Sequence, residues 1–572
     1  MRNVMQEQDV TDWKARLAAY VPETEQERRD RNEILLAAEQ YGTQLLWRSH
    51  AESHFTCSGF VMDTRLEKVL MVYHRIYDSF AWTGGHADGS NDFLWTAVRE
   101  AKEETGIRKP YPLTGAILSL DILPVRAHQK NGTPVPEHQH YNVTYGLIAD
   151  TRETLRIAPD ENTAVDWIPV EKLPEICKEP HMLPVYEKVI ARMRRWKAMQ
   201  EQVMAQLTQP LLSWYPGHAR DLPWRKNRQP YRVWLSEIML QQTRVEAVKG
   251  YYQRFLETFP DIPALANAEQ DQVNKCWEGL GYYSRAANLR KAAQVIVEQY
   301  GGAFPETWEE VRQLPGVGDY TAGAVCSICY DLPTPAVDGN VLRVLARLTD
   351  DDTDVMLPAA KTAAEAALAP CIPSPGAGDF TQSLIELGAL VCLPGEPRCD
   401  VCPLALLCRA RAAGHTRDLP IRGAAKARRV ERRVVLILRL GGQEAAPVVI
   451  RRRPAGLLGG LYEFPNLLCG QLPAAEGDDP AARTAAFLRG LGIEPLAVRP
   501  VGTARHLFTH VEWQMEGVCA TLPAGAVLPE DWLAVSPADL QDSFALPSAF
   551  AAFRPAAGLP GVKHKKTAGG RK

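Results

Sequence analysis

A chain of 572 residues is too long for one hydrophobic core and points to three or four domains, while 46% hydrophobic and 23% charged residues fit a soluble globular protein. The net charge of -3 excludes a uniformly basic surface but is compatible with a basic groove flanked by acidic surface. No run of about 18 apolar residues is present, and the polar start MRNVMQEQDVTDWK lacks the core of a secretory signal, so a cytoplasmic protein without a membrane span is expected.

Residues 1–205 alternate between strand and helix patterns. Lys68–His74 reads as a strand, a Gly-rich turn follows, and Phe93–Thr105 reads as a helix. Glu100, Glu103 and Glu104 stand at i, i+3 and i+4 on that helix, so they share a face and suit Mg²⁺. Tyr141–Ile148 is a further strand, and a basic helix over Pro184–Met199 leads into the next domain.

Residues 206–410 are nearly all helical in pattern and hold four segments of chemical interest. In WLSEIMLQQTRV (234–245), Glu237 interrupts an apolar helical run. Alone it reads as an exposed glutamate; among apolar neighbours it reads as a general acid with a raised pKa. In LPGVGDYTAGAV (314–325), Gly316 and Gly318 precede a helix, a turn suited to holding a phosphate on backbone N–H groups. In AVDGNVLRVLAR (336–347), Asp338 reads as a helix N-cap and equally as an ionised carboxylate able to face a sugar cation. Four of the twelve cysteines, Cys392, Cys399, Cys402 and Cys408, crowd together. In a reducing compartment they suit a [4Fe–4S] cluster or a tetrahedral zinc rather than disulfides. Cys326 and Cys329 fall within an apolar helical run and read as core.

A basic connector is expected over 411–432, a strand-rich domain over 433–555, and a disordered basic tail over 556–572 that touches phosphates weakly. Val434–Leu438 and Val448–Ile450 are strands. The two end domains echo one another: each has an apolar strand, a basic patch and a Gly-Gly turn (Gly84–Gly85, Gly459–Gly460). Only the first continues into a carboxylate-rich helix.

The C-x6-C-x2-C-x5-C spacing, with LSEIMLQQT, WEGLGYYSRA (277–286) and VDGNVLRVLAR, resembles the helix-hairpin-helix DNA glycosylases, and within them the adenine DNA glycosylase family. That resemblance implies a [4Fe–4S] cluster on the four cysteines. It implies flipping of adenine from its pair with 8-oxoguanine or guanine in duplex DNA and cleavage of the N-glycosidic bond. Glu237 matches the family's acid, and Asp338 matches the carboxylate facing the oxocarbenium-like sugar, with Asn340 beside it. Gln242 and Tyr282 match residues filling the stack around the lesion pair. Tyr320 stands where the endonuclease III type carries a Schiff-base lysine, which implies base removal without efficient strand cleavage.

RRRPAGLLGGLYEFPN (451–466) and HLFTHVEW (506–513) resemble that family's Nudix-like lesion-recognition domain, with Thr509 and His510 where the family reads Ser-His. Thr509 keeps the hydroxyl, though its methyl constrains the rotamer. The helix expected near AARTAAFLRGLGI lacks carboxylates, so this copy should bind without hydrolysing.

GGHADGSNDFLWTAVREAKEETGI (84–107) resembles the Nudix box, departing from it at Asn91 and at the small Ala101. It implies an α/β/α Nudix domain hydrolysing a nucleotide-type diphosphate with Mg²⁺. The whole is a multidomain α+β protein: Nudix domain, all-α glycosylase core with its cluster loop, and Nudix-like domain. A monomer active at a bacterial nucleoid is expected. The rival readings are an endonuclease III-like lyase, a non-catalytic DNA-binding protein using the cluster as a redox sensor, and a chain whose principal activity is the Nudix hydrolase. Tyr320 speaks against the first; Glu237 and Asp338 speak against the second.

Overall fold

Alternation along one strand organises the N-terminal domain. Strand β1 (Ser53–Asp63) sends successive side chains to opposite faces of its sheet. Phe55, Cys57 and Val61 enter one core with Phe93, Ala97 and Ala101 of helix α1 (Phe93–Thr105). Phe60 and Met62 enter a second core with Tyr186, Val189 and Met193 of helix α2 (Leu183–Met204). Each large apolar side chain withdrawn from water in this way contributes about 1.5–3 kcal/mol. The even-numbered positions before Phe60 are polar instead: His54, Thr56 and Ser58.

Helix α1 begins where the Asp92 carboxylate accepts the Trp95 N–H at 3.0 Å. It ends at Gly106, which takes a φ of 77°. Those bounds are the ones expected from sequence; α2 runs one turn further than expected.

The sheet is mixed. β2 (Lys68–His74) pairs antiparallel with β1, as does β3 (Thr83–His86), which sets His86 opposite Thr56. β4 (Ser119–Val125) pairs antiparallel with β5 (His138–Ala149). β5 runs parallel to β1 from Ser53↔Gln139 to Asp63↔Ala149, and β6 (Asn162–Pro169) closes the far side on β2.

The computed structural model describes residues 13–74, 78–130, 133–423, 427–443, 445–454, 456–473 and 479–561. No helix among them is long and apolar enough to cross a membrane. The middle of the chain contributes α3 (Pro230–Leu240), α4 (Ser284–Tyr300), α5 (Trp308–Gln313), α6 (Asp319–Tyr330), α7 (Gly339–Thr349) and α8 (Ala377–Leu390). The chain divides into two units, residues 1–220 with 326–424 and residues 221–325 with 425–572. The helical block expected over 206–410 is thus divided between them.

In the first unit the Asp351 carboxylate accepts the Gly115 N–H at 3.0 Å, and Arg16 donates to the Gly115 carbonyl at 2.6 Å. Val344, Leu348, Phe380, Leu384 and Leu387 form a core with Leu207 and Leu211. The expected connector is more structured than its composition suggests. Leu419 is buried, its carbonyl accepts from Arg347 at 2.8 Å, and the Val355 N–H donates to the Ile421 carbonyl at 3.1 Å.

In the second unit the C-terminal sheet repeats the parallel centre of the first. β7 (Arg429–Leu440) pairs antiparallel with β8 (Val448–Arg452), and parallel with β10 (Val511–Leu522) over its whole length; β9 (Ala497–Leu507) borders β10. Helix α9 (Pro480–Gly490) covers one face and carries no acidic residue. The fold continues past the boundary expected at 555: Ala557 and Leu559 are buried in the core with Phe550 and Phe553. Residues 562–572 of the expected tail lie outside the described residues. This domain is fastened to the preceding helices: Lys275 donates to the Phe544 carbonyl at 3.1 Å, and Glu278 accepts from Arg554 at 3.2 Å.

Candidate active site

Pro230 occupies the first turn of α3, and Val233, Trp234, Leu235, Ile238 and Met239 bury the helix almost all round. Glu237 is carried inward with them and is only 8% exposed. The Tyr320 hydroxyl donates to its Oε2 at 2.7 Å. Tyr320 lies in the first turn of α6, reached from α5 through the turn Leu314–Gly318. Gly316 takes a φ of 77° there, and a β-carbon on it would lie 2.6 Å from that of Asn288 on α4. Only glycine makes both the turn and the close approach. Gly316 and Gly318 are exposed, as a phosphate-binding turn requires.

Arg285 has no part in the sequence-based expectations, yet it ties the end of the helix that carries Glu237 to the turn before Tyr282. The residue is 8% exposed, and its guanidinium donates to the carbonyls of Ile238, Met239 and Gln241 at 2.8, 3.0 and 2.7 Å. It also reaches the carbonyls of Leu280 and Gly281 at 3.2 and 3.1 Å. These acceptors are the orphan carbonyls closing α3 and those of the turn before Tyr282. Burial holds the guanidinium below its usual range, down to about 10. The signal within GYYSRAA was a charged residue at an apolar-face position of α4.

Gln242 and Tyr282 both adopt left-handed backbone conformations, with φ of 57° and 49°. For side chains with a β-carbon that geometry costs about 1–2 kcal/mol and is maintained only by its surroundings. Both residues are exposed. The Tyr282 hydroxyl lies 3.4 Å from that of Thr509, in the turn joining β9 to β10. His510 is exposed in the same turn.

In the first unit Asp338 caps α7: Oδ1 accepts the Asn340 and Val341 N–H groups, both at 2.8 Å. Oδ2 accepts the Asn340 side-chain amide at 2.8 Å. The Asn340 oxygen accepts from Arg343 at 2.8 Å, and Arg343 donates on to the Cys392 carbonyl at 2.7 Å. One turn later Arg347, 2% exposed, approaches Cys392 Sγ at 3.4 Å, and Cys408 Sγ donates to the Arg347 carbonyl at 3.3 Å. A hydrogen-bonded line thus runs from the capping carboxylate to the cysteine loop.

The four cysteines line one cavity, of about 410 Å³ including its open mouth, with Val344, Leu348, Leu387 and Leu404. No three of their sulfurs lie within 4.8 Å of one another. Four thiol groups around one apolar-walled cavity are a donor set that suits an iron–sulfur cluster as well as a tetrahedral zinc. Burial pushes Cys402 up to about 11 and raises Cys399 and Cys408, so a metal must displace protons to bind. Cys326 is fully buried, as expected of a core residue, whereas Cys329, expected to be core as well, is only partly buried.

On α1, Glu104 is 6% exposed and its Oε2 accepts the Gly84 N–H at 3.3 Å; Glu100 pairs with Arg99, and Glu103 is exposed. Burial, then the nearby Glu161 and Glu100, hold the Glu104 carboxyl well above the usual range. Burial raises Glu100 likewise. A divalent cation would relieve this crowding of acids, so the residues fit Mg²⁺, although the three carboxylates do not converge within 4.8 Å. Glu161, some 60 residues away, had no sequence signal marking it as a neighbour.

Comparison with known proteins agrees with this arrangement. The model of the HhH-GPD superfamily base excision DNA repair protein matches residues 235–370, and NUDIX domain models match 53–192 and 434–554. The adenine DNA glycosylase of Mus musculus is 35% identical over 356 residues, 53% of this chain and 68% of its own. That of Homo sapiens is 34% identical over 381 residues, 55% of this chain and 68% of its own. The Schizosaccharomyces pombe protein of the same name is 33% identical over 392 residues, 58% and 85% respectively. The chain therefore belongs to the adenine DNA glycosylase family, with a NUDIX domain match on either side of its HhH-GPD region.

Proposed function

We propose that the helical domain removes adenine paired with 8-oxoguanine or guanine in duplex DNA, and leaves the sugar–phosphate strand uncut. The observation that carries this reading is Glu237, a carboxyl buried in an apolar helix and addressed by the Tyr320 hydroxyl, where a lyase would need an amine. Glu237 gives its proton to a ring nitrogen of the flipped base, the glycosidic bond breaks toward the base, and water completes the sugar. Asp338, held in place by three donors, faces the cationic sugar, with Asn340 fixing its angle. Gln242 and Tyr282 fill the stack, and Gly316 and Gly318 hold a phosphate. Thr509 and His510 contact the 8-oxoguanine; the approach of Tyr282 to Thr509 supports one continuous surface for the lesion pair. A [4Fe–4S] cluster on Cys392, Cys399, Cys402 and Cys408, when bound, crosslinks the loop that Arg343 ties to Asn340.

The test is a single-turnover assay on duplex DNA with adenine opposite 8-oxoguanine. Adenine release with strand breaks only after alkali is expected. Breaks forming without alkali would replace this reading with the lyase.

The crowded acids of α1 support a second activity, Mg²⁺-dependent hydrolysis of a nucleoside diphosphate-type substrate. Hydrolysis by the full chain should fall in Glu104→Gln, which removes the most buried of the three carboxylates proposed to hold Mg²⁺. Equal turnover in variant and wild type across a panel of such nucleotides would remove the assignment.

A further inference from the structure

Four histidines, none of them used by either activity above, meet on the sheet face away from α1. Parallel pairing of β1 with β5 sets His54 beside His140, and His138 lies two residues earlier on the same face. His86, at the end of β3, stands with its ring centroid 5.0 Å from that of His54 and 5.1 Å from that of His140. One ring nitrogen each from His54, His138 and His140 fall within 4.8 Å of one another. The His138 and His140 Nε2 atoms are 3.2 Å apart. Two nitrogens bound tetrahedrally to one ion at 2.0–2.1 Å would stand about 3.3 Å apart.

The geometry points to a tri-histidine site for one divalent first-row transition ion of the zinc type, at the ends of β1 and β5 and separate from the Nudix carboxylates. His54 is 5% exposed, and its Nε2 is buried with no hydrogen-bond partner. A buried ring nitrogen without a partner is costly, and a metal ion removes that cost. Two of the three rings are also set in the tautomer a metal needs. His54 Nδ1 donates to the His50 carbonyl at 3.2 Å, and His138 Nδ1 donates to the Pro136 carbonyl at 2.9 Å. Each bond leaves the Nε2 lone pair pointing the other way, the outer-shell arrangement that orients histidine ligands.

The polar residues next along the same face satisfy one another. Thr56 and Ser58 donate to the Asn142 oxygen at 2.9 and 2.8 Å, and the Asn142 amide donates to Thr144 at 2.9 Å. They do not draw on the histidines. An all-imidazole donor set selects zinc, cobalt, nickel or copper over Mg²⁺, which prefers oxygen. The Glu100, Glu103 and Glu104 helix packs on the opposite face, against Cys57. The two sites therefore differ in both place and donor chemistry. His86 or a water would complete the coordination.

The test uses the full chain with its cluster intact, dialysed against chelator and titrated with Co²⁺ and then Zn²⁺ alone. One equivalent of Co²⁺ should bind with ligand-field bands and without the intense charge-transfer bands of thiolate ligation. Excess Mg²⁺ should not displace it, and the ion should raise the thermal transition of the wild type. The double variant His138→Gln, His140→Gln should lose that equivalent while the cluster absorbance stays. The single variant His140→Gln should weaken binding by more than the roughly 10–100-fold that loss of an outer-shell partner costs. Wild-type protein that binds no such equivalent, and shows no thermal shift, would overturn the site even if the variants misfold. An equivalent retained by a folded double variant, or displaced by Mg²⁺, would overturn it too and place the ion on other ligands.

Discussion

Glu237→Gln is expected to slow adenine release by about 10²–10⁴-fold, the range found when a positioned acid–base group is lost, while duplex binding stays within a few-fold. The structure makes this substitution unusually clean. The glutamine amide has the volume of the carboxyl, so the packing of Trp234, Ile238 and Met239 on α3 is undisturbed. Its carbonyl oxygen can still accept from the Tyr320 hydroxyl, now 2.7 Å from Oε2. The Arg285 clamp holds the end of α3 through the main-chain carbonyls of Ile238, Met239 and Gln241, which the substitution leaves in place. What disappears is the proton that the leaving base requires. Single-turnover rates and duplex affinity measured on the same preparations separate the two quantities. A variant that releases adenine at the wild-type rate would remove Glu237 from the chemistry, and one that loses binding in equal measure would make it a structural residue.

Features written in local chemistry were legible in the sequence. Helix α1 could be read to both ends because an Asp cap and a left-handed Gly are local signals. Asp338 could be read as a cap because the Asp-Gly-Asn start of a helix announces one. Features made by chain segments far apart in sequence were not legible. The Tyr320–Glu237 bond joins residues 83 apart, and nothing near Glu237 names its partner. Arg285 offered only a charge at an apolar-face position of α4, with nothing to name the loose carbonyls of α3 that it collects. The backbone strain at Gln242 and Tyr282 was equally hidden, since neither residue type signals a positive φ. His138 and His140 are neighbours in sequence, but His54 joins them only through the parallel register of β1 and β5. The partition of the helical middle between two units depends on packing, which periodicity does not encode.

Asp338 does two jobs that one pair of substitutions can separate. As an N-cap it satisfies two backbone donors of α7, and asparagine is as good a cap as aspartate. Asp338→Asn should therefore keep the cap and cost only the bond from Asn340, about 0.5–1.5 kcal/mol, whereas Asp338→Ala should lose in addition the cap, worth about 0.5–2 kcal/mol. For catalysis the order differs. Both variants remove the negative charge proposed to face the sugar cation, so both should lose about 10²–10³-fold in rate, equivalent to about 2.7–4 kcal/mol of preorganised electrostatic stabilisation. The line Asp338–Asn340–Arg343–Cys392 sharpens the expectation. Arg343 places a positive charge behind Asn340. It also holds the Asn340 amide turned toward residue 338, so Asp338→Asn can keep its oxygen on the α7 N–H groups but loses the bond from Asn340, while presenting no charge to the sugar. Thermal unfolding and single-turnover release, measured on both variants with the cluster absorbance unchanged, check the two halves independently. Near-wild-type release by a stable Asp338→Asn protein would mean that capping is the whole of this residue's work. A rate loss that tracks the stability loss across the two variants would mean the same.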